Sequence, residues 1–142
     1  MKKEFSDGVI DDPILLSHAL VLQRVEDGDV HVLTNVPHLV VAHSPDGFEF
    51  GYAGSGPADL ALNICQYYLL SIGYQGKKEK CFEGECFSLA WALHQDFKFK
   101  FIAAAPHEGI EIPFEMIREW FEAHITDEIK QRHSPVDIEI EE

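Results

Sequence analysis

Hydrophobic positions change rhythm several times along this chain, and each rhythm predicts a different element. Leu20-Val21-Leu22-Gln23-Arg24-Val25 and Val30-His31-Val32-Leu33-Thr34 are β-branched runs joined by Glu26-Asp27-Gly28-Asp29. Asp-Gly between two such runs predicts a hairpin. A second hairpin is expected from Leu39-Val40-Val41-Ala42 and Phe48-Glu49-Phe50-Gly51-Tyr52, with Ser44-Pro45-Asp46-Gly47 as a type I turn between them.

Over residues 57–72 the period becomes helical. Leu60, Ala61, Ile64, Cys65, Tyr68 and Ile72 fall on one face. Leu62 and Leu69 lie off that stripe, so the helix should be covered on more than one side. Gly73 is a natural stop, and a polar connector follows over 75–80. A second helix is expected over 85–97, with Phe87, Ala90, Trp91 and His94 on one face. Lys98-Phe99-Lys100-Phe101-Ile102-Ala103 then alternates with period two and reads as a strand. After the loop Pro106-His107-Glu108-Gly109, Pro113 opens a third helix with Phe114, Ile117, Trp120, Phe121 and His124 on its core face. The sum is an α+β fold: a small, mostly antiparallel sheet (two hairpins plus a further strand) packed against about three helices. Residues 1–12 should be loose, 13–133 a single globular domain, and 134–142 an acidic tail. No internal repeat is visible.

Composition narrows the classes. A chain of 142 residues with 46% apolar side chains and ten Phe can bury a real core, which excludes wholesale disorder. Its 25 acidic against 11 basic residues give a formal charge of −14, which disfavours duplex nucleic acid and anionic membranes as partners. Three readings of that charge stay open: solubility, docking to a basic protein surface, or imitation of a phosphate backbone. No run approaches the ~18 apolar residues of a membrane span. The start, Met1-Lys2-Lys3-Glu4-Phe5-Ser6-Asp7, turns acidic too soon for a signal peptide. Three Cys, with Cys65 on a helix, fit a reducing, cytoplasmic setting better than a disulfide scaffold.

The most informative stretch is Gly51-Tyr52-Ala53-Gly54-Ser55-Gly56-Pro57, between an apolar-aromatic run and the first helix. Glycines strip the backbone of side chains, and Pro57 pre-sets φ for a first helical turn. A strand, a bare loop and a helix start would aim free amides and the positive end of a helix dipole at a ligand. The spacing is neither the dinucleotide fingerprint nor a P-loop, and no Lys follows. On this reading the amides of Gly54, Ser55, Gly56 and Ala58 hold an anion, with the Ser55 hydroxyl assisting. Tyr52 would stack on a planar base, while Gln95 and Lys98 contact polar edges. The competing reading is a tight strand-to-helix turn whose glycines let the helix pack closely. Asp59, within the first turn, favours the helix dipole but repels a phosphate.

The run from His43 through Leu62, His-Ser-Pro-Asp-Gly-Phe-Glu-Phe-Gly-Tyr-Ala-Gly-Ser-Gly-Pro-Ala-Asp-Leu-Ala-Leu, resembles the hallmark of domain-of-unknown-function family 6166. That hallmark is Ser-Pro-x-Gly-Phe-Glu-Trp-Gly-Tyr-Gly-Gly-Ser-Gly-Pro-Ala-x-Leu-Ala. His94-Gln95-Asp96-Phe97-Lys98 and Ile117-Arg118-Glu119-Trp120 resemble its later signatures, so the likeness spans about 30–125. Phe50 stands where Trp is usual, and Ala53 where the first Gly of a pair is usual. The resemblance implies an accessory protein of phage or mobile-element type, of a kind that acts on host defence or DNA metabolism. It names no activity.

Other constellations are weaker. Cys81 and Cys86, with His94, have too wide a spacing for a structural zinc site, and no metal or cofactor is expected. No His adjoins a Ser or Cys in a nucleophile motif, and nothing selects Glu49, Asp59 or Asp96 as a catalytic pair, so no catalytic residue is assigned. The sequence therefore points first to a non-enzymatic binder of a small, nucleotide-like ligand. The alternative is an acidic inhibitor or DNA mimic that covers a basic host protein surface. The sequence leaves the oligomeric state open, a homodimer included.

Overall fold

The computed structural model describes residues 19–134 apart from Gly28, Pro45 and Asp46. The expected loose start, residues 135–142 of the acidic tail, Gly28 of the first expected turn and Pro45-Asp46 of the second lie outside these. Along the chain run β1 (Ala19–Asp27), β2 (Asp29–Thr34), α1 (Ser55–Ser71), β3 (Lys78–Lys80), β4 (Glu85–Phe87), α2 (Ser88–Phe97), a π-helical turn (Lys98–Ile102), β5 (Gly109–Pro113), α3 (Phe114–His124) and α4 (Asp127–Arg132). The fold is α+β, as the pattern predicts. No helix among the described residues is long and apolar enough to cross a membrane.

The first hairpin forms where expected, with Leu22 opposite Thr34 and Asp27 opposite Asp29. β5 adds to the other edge of β1, also antiparallel, giving the order β2-β1-β5. Leu20 and Leu22 alternate inward along β1, and Ile112 of β5 joins them in the core. Where the hairpin ladder ends, Asn35 continues it: its side chain accepts from Val21 N–H and donates to the Ala19 carbonyl.

Helix α1 is the centre of the molecule. Every residue from Gly56 to Leu69 is buried, including Asp59, Asn63 and Gln66. These three lie at i, i+4 and i+7, one polar stripe on an otherwise apolar rod. Both Asp59 oxygens accept N–H bonds from the segment above: Ala42 at 3.2 Å, His43 at 2.8 Å and Ser44 at 2.9 Å. Asn63 accepts from Leu39 and Val40 N–H and donates to the Val40 carbonyl. Gln66 accepts from Phe87 N–H.

This stripe explains why the second expected hairpin does not form. The amides of residues 39–44 are spent on α1 side chains, and Val41 makes its backbone bridge with Glu83 instead of with residues 48–52. Buried amides must be paired, and here helix side chains supply the partners. Residues 85–87 also depart from expectation. They pair with β3 as a strand, so the second helix begins three residues later.

The largest correction concerns Lys98–Ile102. The Lys/Phe alternation continues α2 as a π-helical turn, not as a strand. Phe97 and Phe101 are buried one helical turn apart, while Phe99 is 58% exposed. The helical partition thus buries two Phe rings against Trp120 and leaves one outside. The Ile102 carbonyl accepts Gly51 N–H, which fixes the start of the Gly-rich loop. The further strand of the sheet is β5.

Candidate functional site

The Gly-rich stretch runs directly into the first turn of α1, with Gly54 as N-cap and no side-chain cap. A helix start leaves its first N–H groups without intrahelical partners. Pro57 has no N–H, and Ala58 N–H already donates to the Gly54 carbonyl at 3.0 Å. Two donors remain from the helix geometry, Ser55 and Gly56. The four-amide cradle expected from the sequence is therefore narrower. Ala58 is buried with its amide used, and Gly54 lies under the Tyr52 ring, where a Cβ would come within 2.6 Å of Cε2.

Two glycines of the loop have defined packing roles. Gly51 adopts φ +89°, a conformation that side chains strain. At Gly56 a Cβ would lie 2.8 Å from the Glu49 Cβ, so the bare backbone lets the 48–49 segment close onto the helix start. Close packing and free amides thus coexist at one turn.

In front of this turn is a groove of about 540 Å³. Tyr52, Ser55 and Gly56 line it from the loop and helix start, and His31 and Val32 from β2. His38, Ser44, Phe48 and Glu49 line it from the connecting segment. The His38 ring stacks on Phe48 with centroids 4.3 Å apart and planes 25° apart. Tyr52 is 52% exposed. Ser44 is only 8% exposed, and among the described residues its hydroxyl has no hydrogen-bond partner. A buried hydroxyl facing a groove is a group in want of a ligand or water.

Local charge differs from that of the chain. Among the described lining residues Glu49 is the single carboxylate, and its Oε1 lies 2.8 Å from the Arg24 guanidinium. Arg24 also donates from Nε to the His107 carbonyl and from its other terminal nitrogen to the Phe50 carbonyl, with its guanidinium 4.5 Å over the Phe50 ring. This clamp ties β1 to the loop. The one carboxylate among the described lining residues is thus paired with a cation.

Of the residues expected at the site, the structure brings Tyr52, Ser55 and Gly56 together at the groove; Gln95 and Lys98 do not line it. Lys98 is 7% exposed and lies with Nζ 4.4 Å over the Phe99 ring. Gln95 borders a second polar cluster, where its amide is 3.3 Å from His94 Nε2. Sequence reasoning did not select His31, His38 or Ser44, and Phe48 stood only as one of several aromatic residues near the loop. His31 looks like any alternating strand residue, and His38 carries no local signal. Ser44 stood inside the motif without a feature to separate it from turn residues.

The second cluster joins segments far apart in the chain. His94 Nδ1 lies 2.6 Å from the Trp91 carbonyl, which can only accept, so that nitrogen carries the proton. Its bare Nε2 then accepts from His43 Nε2–H at 3.0 Å. His43 also stacks on Trp91. Burial pushes the His94 imidazole below its ordinary value, with the Trp91 carbonyl opposing and the His43 and Lys98 charges adding. This arrangement anchors α2 to the 39–44 segment. Cys81 and Cys86 form a third cluster, their sulfurs 3.4 Å apart. Among the described residues no group of three His, Cys, Asp or Glu could hold a metal ion.

A family model described as "Family of unknown function (DUF6166)" matches residues 15–82. The matched span takes in the groove residues and the whole of α1, and ends before His94. No curated protein and no solved structure matches the chain.

Proposed function

We propose that this protein is a non-enzymatic binder of a small, nucleotide-like ligand in the groove at the start of α1. One observation carries the reading: the Ser55 and Gly56 amides that the helix start leaves over, the buried Ser44 hydroxyl, which has no hydrogen-bond partner among the described residues, and the stacked His38–Phe48 rings all border the same groove. Amides at a helix start and a hydroxyl recognise an anion by hydrogen bonding and by the helix dipole. Ring faces at Phe48 and Tyr52 suit a planar base. A volume of about 540 Å³ falls within the range of small-molecule sites. The paired state of Glu49 removes the nearest obstacle to a negative ligand. Sequestering a nucleotide signal of host defence is the use this reading proposes, and it agrees with the accessory role implied by the family resemblance.

Calorimetry and thermal-shift measurements against nucleoside mono-, di- and triphosphates and cyclic nucleotides test it. A binding class should raise the melting point by mass action, by ~2.7 kcal/mol of stability at a hundredfold excess over Kd. Tyr52→Ala should weaken binding about tenfold or more through lost stacking, on the order of 1–3 kcal/mol. Ser44→Ala should weaken it without unfolding the chain, and Lys100→Ala, outside the groove, should leave it unchanged. A flat response across the panel, or affinity indifferent to Tyr52 and Ser44, rejects the proposal.

A further inference from the structure

The β3–β4 hairpin carries a pair of thiols that the groove does not use. Cys81 Sγ and Cys86 Sγ are 3.4 Å apart, in hydrogen-bond contact, and both are free. Their environments differ. Cys81 is half-buried at the mouth of the hairpin, next to the 72% exposed Phe82, whereas Cys86 is wholly buried. The backbone around them is already closed: Cys81 N–H donates to the Gly84 carbonyl at 2.9 Å, and Gly84, at φ +89°, makes the turn. Disulfide formation needs the sulfurs to approach to ~2.05 Å.

We propose that Cys81 and Cys86 are a reversible dithiol–disulfide modification site, with Cys81 as attacking thiol and Cys86 as resolving thiol. The oxidant is a low-molecular-weight disulfide, R–S–S–R. Cys81 loses its proton to solvent, and its thiolate attacks one sulfur of R–S–S–R. A Cys81–S–S–R mixed disulfide forms and one R–S⁻ leaves, taking up a proton. Cys86 then gives up its proton, attacks the Cys81 sulfur and expels the second R–S⁻. Two protein thiols lose two electrons in total, and R–S–S–R is reduced to two R–SH.

The order of attack follows from access and from charge. Burial pushes the Cys81 thiol up, but its hydrogen-bond contact with Cys86 opposes that shift, while Cys86 is pushed far higher by its deeper burial. The thiolate therefore forms first at the accessible sulfur. Cys65, fully buried on α1, is shielded from a small oxidant.

The test uses the full chain incubated with oxidised glutathione, then denatured and titrated for free thiols. Free cysteines should fall from three to one, peptide mapping should find Cys81 joined to Cys86, and dithiothreitol should restore all three. Cys86→Ala should instead accumulate one glutathione on Cys81, and Cys81→Ser should accumulate none. Three persisting thiols, a link through Cys65, or covalent dimers in place of the internal bridge would overturn the proposal. The mapping on the unmodified chain decides it even where a variant fails to fold.

Discussion

Replacing Asp59 by Ala tests the idea that α1 organises the groove through its polar stripe. The substitution strips acceptors from the N–H groups of Ala42, His43 and Ser44, now held at 2.8–3.2 Å. Ser44 is 8% exposed, so its amide would be left with almost no water; Ala42 and His43 are half-buried and would recover part of theirs. A buried donor left unpaired costs ~1–3 kcal/mol. Full cost at Ser44 and about half at each of the others gives ~2–6 kcal/mol. That is a large share of the ~5–15 kcal/mol that stabilises a typical domain. In urea unfolding at neutral pH the midpoint should fall by about 1 M or more with little change in slope. Asp59→Asn keeps the shape and one acceptor oxygen and should lose roughly half as much. Because Asn63 holds the same segment, Asp59→Ala and Asn63→Ala should be non-additive in a double-mutant cycle. An Asp59→Ala protein within ~0.5 kcal/mol of the parent, the range of ordinary surface changes, would refute the reasoning.

Three further outcomes follow from named contacts. Gly56→Ala should destabilise by ~1–3 kcal/mol because its Cβ meets the Glu49 Cβ, whereas Gly54→Ala should cost less because the exposed Tyr52 ring can swing aside; equal melting-point losses would contradict this. Arg24→Lys keeps the charge but cannot reproduce contacts to His107, Glu49 and Phe50 together, so a loss of ~2 kcal/mol is expected in chemical unfolding; a neutral effect would show the clamp to be dispensable. Burial lowers the His94 imidazole, and burial also lowers His133, so the unfolded chain binds their protons before the fold does. Stability should be flat above the ordinary value near 6.5 and fall as pH drops below it, with a His94 slope of at most ~1.4 kcal/mol per pH unit. His94→Gln should flatten part of that slope in urea midpoints taken from pH 8 to 5, and an unchanged slope would rule His94 out as a contributor.

The sequence by itself determined the elements whose signals are local. Asp-Gly between β-branched runs set the β1–β2 hairpin, the dense apolar run ending before Gly73 set α1, and Pro113 set the start of α3. The Gly-rich motif was legible as a turn into a helix start, although no strand precedes it in the fold. Only the tertiary structure decided what contacts across long sequence separations control. Residues 39–44 look like half of a hairpin until Asp59 and Asn63 claim their amides. Residues 98–102 alternate like a strand until Phe97 and Phe101 are buried together against Trp120. His43 meets His94 across 51 residues, and His31 and His38 reach the groove by the path of the chain and not by any motif. Local pattern encodes which backbone conformation is cheap, whereas the pairing of a buried polar group depends on what the folded chain brings within about 3 Å of it.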